Sequence, residues 1–94
     1  MVASIDGYGN LKTTIRASEI TYTPGQRLLV LLHGNKHEAL VTDGTFNIPQ
    51  GSLAFAPGSS GHDNRFMELF LRGGSATALF DNPQVEEPLH ISFP

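Results

Sequence analysis

The chain has 94 residues, no cysteine, and six basic against nine acidic side chains, for a net charge of −3. This length predicts one small domain with a thin core, and the lack of cysteine excludes disulfides and a thiolate zinc site. The basic residues are scattered along the sequence, so no basic cluster predicts binding to nucleic acid.

The first predicted elements are an N-terminal arm and two short strands. Residues 1–10 show little periodic hydrophobicity, which predicts an extended arm or a disordered tail ahead of a β domain over residues 11–94. The arm has neither a positive n-region nor an apolar h-region, so no signal peptide is expected. Strands are predicted over Leu11 to Ile15 and Ser18 to Thr23, and the Pro24-Gly25 turn ends the second.

A β-hairpin is predicted over Arg27 to Val41, RLLVLLHGNKHEALV. Its five-residue apolar run is far below the roughly 20 residues that span a bilayer, so no contact with the membrane interior is expected. Gly34-Asn35 between two apolar runs is typical of a two-residue type II′ turn. The predicted pairs are Leu32 with His37, Val30 with Ala39, and Leu28 with Val41.

A second turn, Asp43-Gly44, predicts a third strand beside this hairpin. It pairs Val41 with Phe46 and Ala39 with Ile48. Both turns then place the same apolar set on one face, which supports a three-stranded meander. That set is Leu28, Val30, Leu32, Ala39, Val41, Phe46 and Ile48. The opposite face of these strands includes Leu29, Leu31 and Leu40.

The C-terminal half predicts a short strand over Ser52 to Ala56 and a last strand over Leu89 to Phe93. Between them, Gly73-Gly74 predicts the turn of a further hairpin. One face of that hairpin holds Met67, Leu69, Leu71, Ala76, Ala78 and Phe80. The other face includes Phe66, Phe70 and Leu79, so it is also partly apolar.

Eight or nine short strands and no helix predict an all-β fold. The preferred arrangement is a small antiparallel β-sandwich, either a jelly roll or a related Greek key, because long connections separate the hairpins. These connections are the Pro57 to Asn64 loop and the Asp81 to Pro88 segment. A small open barrel is the alternative.

Two groups of polar residues are candidates for chemistry. His33, His37 and Glu38 resemble half of a metal site, but a two-residue turn points the two histidines to opposite faces, so neither a metal nor a cofactor is expected. A ligand-binding loop is the second candidate, with the residues Ser59, Ser60, His62, Asp63 and Asn64. Catalytic groups usually come from separate rigid elements, whereas these share one loop, so an enzyme is not predicted.

Surplus apolar surface is the most informative feature for function. A sandwich needs one apolar face per sheet, yet both predicted hairpins carry apolar residues on the second face as well. Together with Tyr8 in the arm, these residues are the predicted interface: Tyr8, Leu29, Leu31, Leu40, Phe66, Phe70 and Leu79. Either the arm and loops cover them or they contact other protein chains, since exposed apolar patches usually mark interfaces.

The sequence therefore predicts a non-enzymatic structural protein that forms a homo-oligomer, such as a trimer, or docks onto a larger protein lattice. Decoration or cement proteins of viral capsids are one class of this kind, by analogy of fold class alone. The expected location is the cytoplasm or a virion, in soluble form. The alternative is a lectin-like module that binds glycans or receptors, with Tyr8 and the Pro57 to Asn64 loop as its candidate site.

Overall fold

The computed structural model, which describes residues 1–43, 48–58 and 64–94, is built on one curled sheet of seven strands. The strands are β1 (Val2–Ile5), β2 (Leu11–Arg16), β3 (Arg27–Leu32), β4 (Asn35–Val41), β5 (Leu53–Pro57), β6 (Phe66–Leu71) and β7 (Leu89–Ser92). A 3-10 helix (Ala17–Glu19) follows β2, and a one-turn helix, α1 (Ala76–Leu79), lies between β6 and β7. Neither described helix is long and apolar enough to cross a membrane.

The strands lie in the order β1-β2-β6-β5-β4-β3-β7. Neighbours β4 and β5 are parallel, and the other five neighbouring pairs are antiparallel. The all-β prediction is confirmed. The sandwich and jelly-roll details are not, because the strands of the described residues form one continuous sheet; a small open barrel, the alternative, is the closer description.

The predicted β3–β4 hairpin is present, but its turn lies one residue earlier than Gly34-Asn35. His33 and Gly34 have φ values of 53° and 75°, as a type I′ turn requires, and Leu32 lies opposite Asn35. The predicted pairs are therefore wrong by two residues, so that Leu28 lies opposite Ala39. Because side chains alternate with a period of two, a shift of two leaves every residue on its predicted face.

The predicted core face of this hairpin is confirmed. Its described members are all buried, with at most 6% of any residue exposed: Leu28, Val30, Leu32, Ala39, Val41 and Ile48. Phe46 lies outside the described residues. Met67 and Leu69 of β6 and Phe55 of β5 fill the same interior, since the curled sheet encloses it from several sides.

The predicted meander through Asp43-Gly44 is wrong where the structure describes it. Ile48 is not in a strand, and Ala39 has Leu53 of β5 as its second neighbour, in a parallel pair. The segment Leu53 to Ala56 is buried at every position. Strands buried on both faces read as unbroken apolar runs, so this segment suits the middle of the sheet better than a strand after Asp43 would.

The predicted hairpin at Gly73-Gly74 is also wrong, because α1 replaces its second strand. The Ser75 hydroxyl accepts a hydrogen bond from the Ala78 N–H, which caps the first turn. The helix itself, Ala76–Leu79, contains alanine and leucine, both strong helix formers. Ala76 and Phe80 still reach the core and are fully buried.

The predicted strand over Ser18 to Thr23 is likewise replaced by the 3-10 helix and an irregular segment. The Glu19 carboxylate accepts a hydrogen bond from the Arg16 N–H, and the Ile20 N–H donates to the Ala17 carbonyl. These local bonds end β2 at Arg16.

Residues 1–10, predicted as an arm, begin instead with strand β1 at the edge of the sheet. Val2 is fully buried and lies opposite Thr13 of β2. The Val2 N–H donates to the Glu87 carbonyl at 2.9 Å, and the Glu86 N–H donates to the Val2 carbonyl at 2.8 Å. Since Glu87 immediately precedes Pro88 and β7, these two bonds join β1, at one end of the sheet, to the segment that leads into β7, at the other end. We call this contact the closure.

The Glu87 side chain reinforces the closure. Its carboxylate accepts a hydrogen bond from the Gln84 N–H at 2.9 Å and lies 2.8 Å from Nδ1 of His33 in the β3–β4 turn. The hydrogen bond from the Gln84 N–H has the largest effect in lowering the pKa of Glu87, and the hydrogen bond with His33 lowers it further. The ionised carboxylate therefore ties the closure segment to the hairpin turn.

Replacing Val2 with alanine tests the closure. Val2→Ala removes two buried methyl groups at the junction of the sheet ends and should lower the free energy of unfolding by about 2 kcal/mol. The matched control is Ser4→Ala on the same strand, where the side chain is exposed and little change is expected. Urea denaturation measures both; equal midpoints for the two variants would contradict the role given to Val2.

Gly34 offers a test of the turn type. Gly34→Ala should lower the free energy of unfolding by about 1 kcal/mol, because the φ of +75° strains any residue with a Cβ. Crowding does not contribute, since nothing lies within 4 Å of an added Cβ. Gly7→Ala is the control, since that position is equally open and its φ is not in the left-handed range. A loss in the control as large as in Gly34→Ala would rule out backbone strain as the cause.

Glu87→Gln should make stability less dependent on acid pH. A lowered pKa in the folded state means that the carboxylate adds stability above its unfolded pKa and loses it as the pH falls through the folded value. The variant should therefore unfold at lower urea than wild type at pH 7, and the gap should close toward pH 3. Glu86→Gln is the control, because the Glu86 side chain is exposed and makes no hydrogen bond or ion pair among the described residues. A gap that is constant with pH would argue against the ionised contact.

Candidate functional site

The outer face of the curled sheet carries a continuous row of apolar side chains. Leu40 of β4 lies opposite Ala54 of β5, and Ala54 lies opposite Phe70 of β6. On β3, Leu29 is diagonal to Leu40, within reach of a leucine side chain, and Leu31 extends the row by two residues. We call these residues the outer stripe: Leu29, Leu31, Leu40, Ala54 and Phe70.

Exposure along the outer stripe increases toward β3. Ala54 is fully buried, since it is small and stands between the larger Leu40 and Phe70. Leu29, Leu40 and Phe70 are half-buried, and Leu31 is 38% exposed. Sequence reasoning missed Ala54, because the run LAFA does not alternate and so gives no sign of which side each residue faces. The outer stripe is thus packed at its centre and open at its Leu31 end.

Opposite charges border the open end of the outer stripe. Lys36 and Glu38 are on β4, where Lys36 lies opposite Leu31 and Glu38 lies opposite Leu29. The Arg27 guanidinium donates to the Glu38 carboxylate at 2.7 Å. Lys36 is exposed and has no ion pair among the described residues. This end of the stripe therefore presents leucine beside both signs of charge.

Two further residues of the predicted interface are covered by the chain itself. Phe66 is on the same strand as Phe70, but the Arg16 guanidinium lies over its ring, 4.1 Å from the ring centre. Leu79 is in α1, where its side chain packs against the core and its carbonyl accepts a hydrogen bond from His37 at 3.1 Å. Neither side chain therefore belongs to the outer stripe.

Tyr8 occupies the turn between β1 and β2 and is 84% exposed. The N–H groups of Asn10 and Tyr8 donate to the Asp6 carboxylate at 3.0 and 2.8 Å. These bonds lower the pKa of Asp6, and the bond from the Asn10 N–H has the largest effect. The Asp6 carboxylate thus holds the turn, and the Tyr8 ring projects into solvent apart from the outer stripe.

Both histidines of the β3–β4 hairpin have partners within the chain. The His37 ring stacks edge-on against Phe80, with ring centres 5.1 Å apart, while its Nε2 donates to the Leu79 carbonyl. His33 contacts Glu87 instead. In the part of the chain that the structure describes, no three His, Cys, Asp or Glu side chains converge as a metal site would need.

The predicted ligand-binding loop is described only at its end. Ser59, Ser60, His62 and Asp63 lie outside the described residues. Asn64 binds the 3-10 helix: its side-chain oxygen accepts from the Ser18 N–H at 2.9 Å, and its amide donates to the Ser18 hydroxyl at 2.7 Å. The Asn64 carbonyl also accepts from Arg16 at 2.9 Å. The Asn64 side chain is thus used to anchor the loop.

Two pockets adjoin the outer stripe. A pocket of about 240 Å³ includes Leu40, Leu79 and the Arg27–Glu38 pair in its wall. A second pocket, of about 280 Å³, extends from the exposed Leu31 to the closure segment. Its wall includes Leu31, His33, Glu87, Pro88 and His90. The outer stripe is therefore bordered by concave surface on two sides, which suits contact with a protruding side chain.

No protein-family model and no curated protein matches this chain. The fold is similar to the crystal structure of an uncharacterized conserved protein from Thermotoga maritima, with a TM-score of 0.79 and 19% sequence identity. That match covers 96% of this chain and 34% of the Thermotoga chain, so this chain spans about a third of the length of that protein. At this identity the likeness shows the fold alone.

Proposed function

We propose that this chain is a non-enzymatic assembly protein that associates with further copies of itself through the outer stripe. The observation that carries the proposal is the open end of the stripe, where Leu31 is 38% exposed on a face opposite the core. The interior already holds the apolar side chains that a small domain needs. The outer stripe is therefore surplus to the fold, and contiguous surplus apolar surface usually marks a contact with protein.

The charges around the stripe favour a second copy as the partner. In a two-fold contact each residue pair occurs twice, so a surface with both signs of charge complements itself. Lys36, without an ion pair in the described residues, and Glu38 lie on the same side of the stripe, two residues apart on β4. Two copies in antiparallel contact bring Lys36 of each toward Glu38 of the other.

The small size of the fold also favours additional contacts. A fold of this size buries only roughly 60–65% of its unfolded surface, so additional contacts add a substantial share of its stability. The apolar outer face is the surface on which such contacts gain most, at about 25 cal/mol per Å² buried.

The test is the solution mass of the wild type and of Leu31→Glu from micromolar to millimolar concentration, by light scattering. We expect wild type to form oligomers and Leu31→Glu to shift toward smaller species at the same concentration, because a carboxylate at the stripe must lose water on contact. The folded monomer should tolerate the change, since position 31 is exposed and faces Lys36.

Ser4→Glu is the matched control, since Ser4 is also an exposed strand residue and lies opposite a lysine, Lys12. It should assemble as wild type does. A wild type that stays monomeric over the whole range contradicts the proposal, and so does a Leu31→Glu variant that assembles as well as the control.

A further inference from the structure

The outer edge of β7 has no backbone partner among the described residues. β7 is the last strand of the sheet and is hydrogen-bonded to β3 alone. The other end of the sheet, β1, meets Glu86 and Glu87, which precede Pro88, and so does not reach β7 itself. The strand Leu89–Ser92 therefore presents an open edge.

The β3–β4 turn determines which groups face outward. Leu32 and Asn35 flank its two central residues and so form a hydrogen-bonded pair. Hydrogen-bonding direction alternates along a strand, so Leu31 and Leu29 bond to their β7 partners His90 and Ser92. The outward N–H and C=O groups are then those of Leu89 and Ile91. Phe93, the residue after β7, follows the same alternation.

This edge lacks several of the features that usually prevent strand pairing. Proteins protect edge strands with charged side chains, internal proline or bulges. No charged residue occurs between Pro88 and Pro94, and both prolines lie outside the strand. Leu89 and Ile91 face inward yet stay half-exposed, and Phe93 is 60% exposed, with an edge-on contact to the Tyr22 ring at 5.4 Å. The edge therefore offers both free backbone groups and apolar side chains.

The sequence of this edge is symmetric in polarity about its centre. The segment Pro88 to Pro94 reads PLHISFP, with apolar residues alternating with polar ones and a proline at each end. Reversing its direction gives the same pattern. A second copy of the same segment, running antiparallel, therefore matches it along its whole length, and no like charges oppose each other.

We infer that two copies of this chain pair antiparallel through their β7 edges, with Ile91 opposite Ile91 of the second copy. Leu89 of each copy then lies opposite Phe93 of the other, and His90 lies opposite Ser92. Ile91 exchanges two backbone hydrogen bonds across the two-fold axis, and each Leu89–Phe93 pair exchanges two more. The pairing covers the exposed Phe93, and the prolines end the ladder at both sides.

This inference rests on the proposed self-assembly and adds a second contact to it. A two-fold pairing closes on itself and yields a dimer. The outer stripe is left free by that pairing, because strand pairing uses the edge of the sheet and the stripe lies on its face. Together the two contacts extend assembly beyond the dimer.

Single cysteine variants test the pairing without ambiguity, since the chain has no cysteine of its own. His90 and Ser92 of the second copy form a non-hydrogen-bonded pair, whose Cα atoms lie about 4.5 Å apart, within the range of a disulfide. We expect a mixture of His90→Cys and Ser92→Cys, oxidised by glutathione, to give a cross-linked mixed dimer in large excess over either self-linked dimer. The two variants are distinguished in the mixture by a mass tag. Ser4→Cys is the control, since Ser4 is an exposed position on β1. When it replaces either of the two variants, the mixed dimer should not exceed the self-linked dimers.

The same cross-link in a Leu31→Glu background separates the two contacts. We expect it to form as efficiently as without that substitution, since the outer stripe takes no part in the pairing. An oligomeric wild type that gives no excess of the His90–Ser92 cross-link overturns the pairing but leaves the proposed function standing. A chain that is monomeric and gives no cross-link overturns both.

Discussion

Two backbone hydrogen bonds between Val2 and the Glu86–Glu87 segment hold the two ends of the sheet together. Glu86 and Glu87 both bond to the single residue Val2, as in a β-bulge, and Glu86 has a φ of 77°. An open sheet of this length would leave both edge strands unpaired. Because the closure joins β1 only to the residues before β7, it encloses the core and still leaves β7 without a second neighbouring strand among the described residues.

This arrangement explains why the inner face of the central strands is apolar. The inner face must be apolar because the sheet curls around it, and the residues there are nearly all fully buried. The outer face has no such requirement, yet Leu29, Leu31, Leu40 and Phe70 occupy it. In the proposed assembly, contact with a second copy gives these side chains the burial that the monomer does not provide. The β7 edge, whose outward N–H and C=O groups have no partner among the described residues, would add a contact of a different kind.

The sequence allowed the all-β class, six of the seven described strands and the inner face of the β3–β4 hairpin to be predicted, because most of these depend on alternation with a period of two and on turn residues between the strands. A turn misplaced by one residue did not disturb that face, since it shifts the register by two. Alternation does not tell which strands are neighbours, so the parallel β4–β5 pair replaced the expected meander. Local capping by Ser75 and Glu19 also outweighed the strand patterns at α1 and the 3-10 helix. Of the seven residues predicted for the interface, four lie in the outer stripe, and Phe66, Leu79 and Tyr8 do not. Alternation cannot predict that Arg16 covers the Phe66 ring or that Leu79 lies in a helix.

The most direct test of self-assembly through these surfaces is a dilution series followed by amide NMR on the uniformly labelled wild-type chain. We expect the amide shifts of Leu29, Leu31, Leu40 and Phe70, and those of Leu89 to Phe93, to change with concentration while those of β1 and β2 stay constant. Shifts that do not depend on concentration anywhere, or that change only in β1 and β2, would contradict self-assembly through these surfaces.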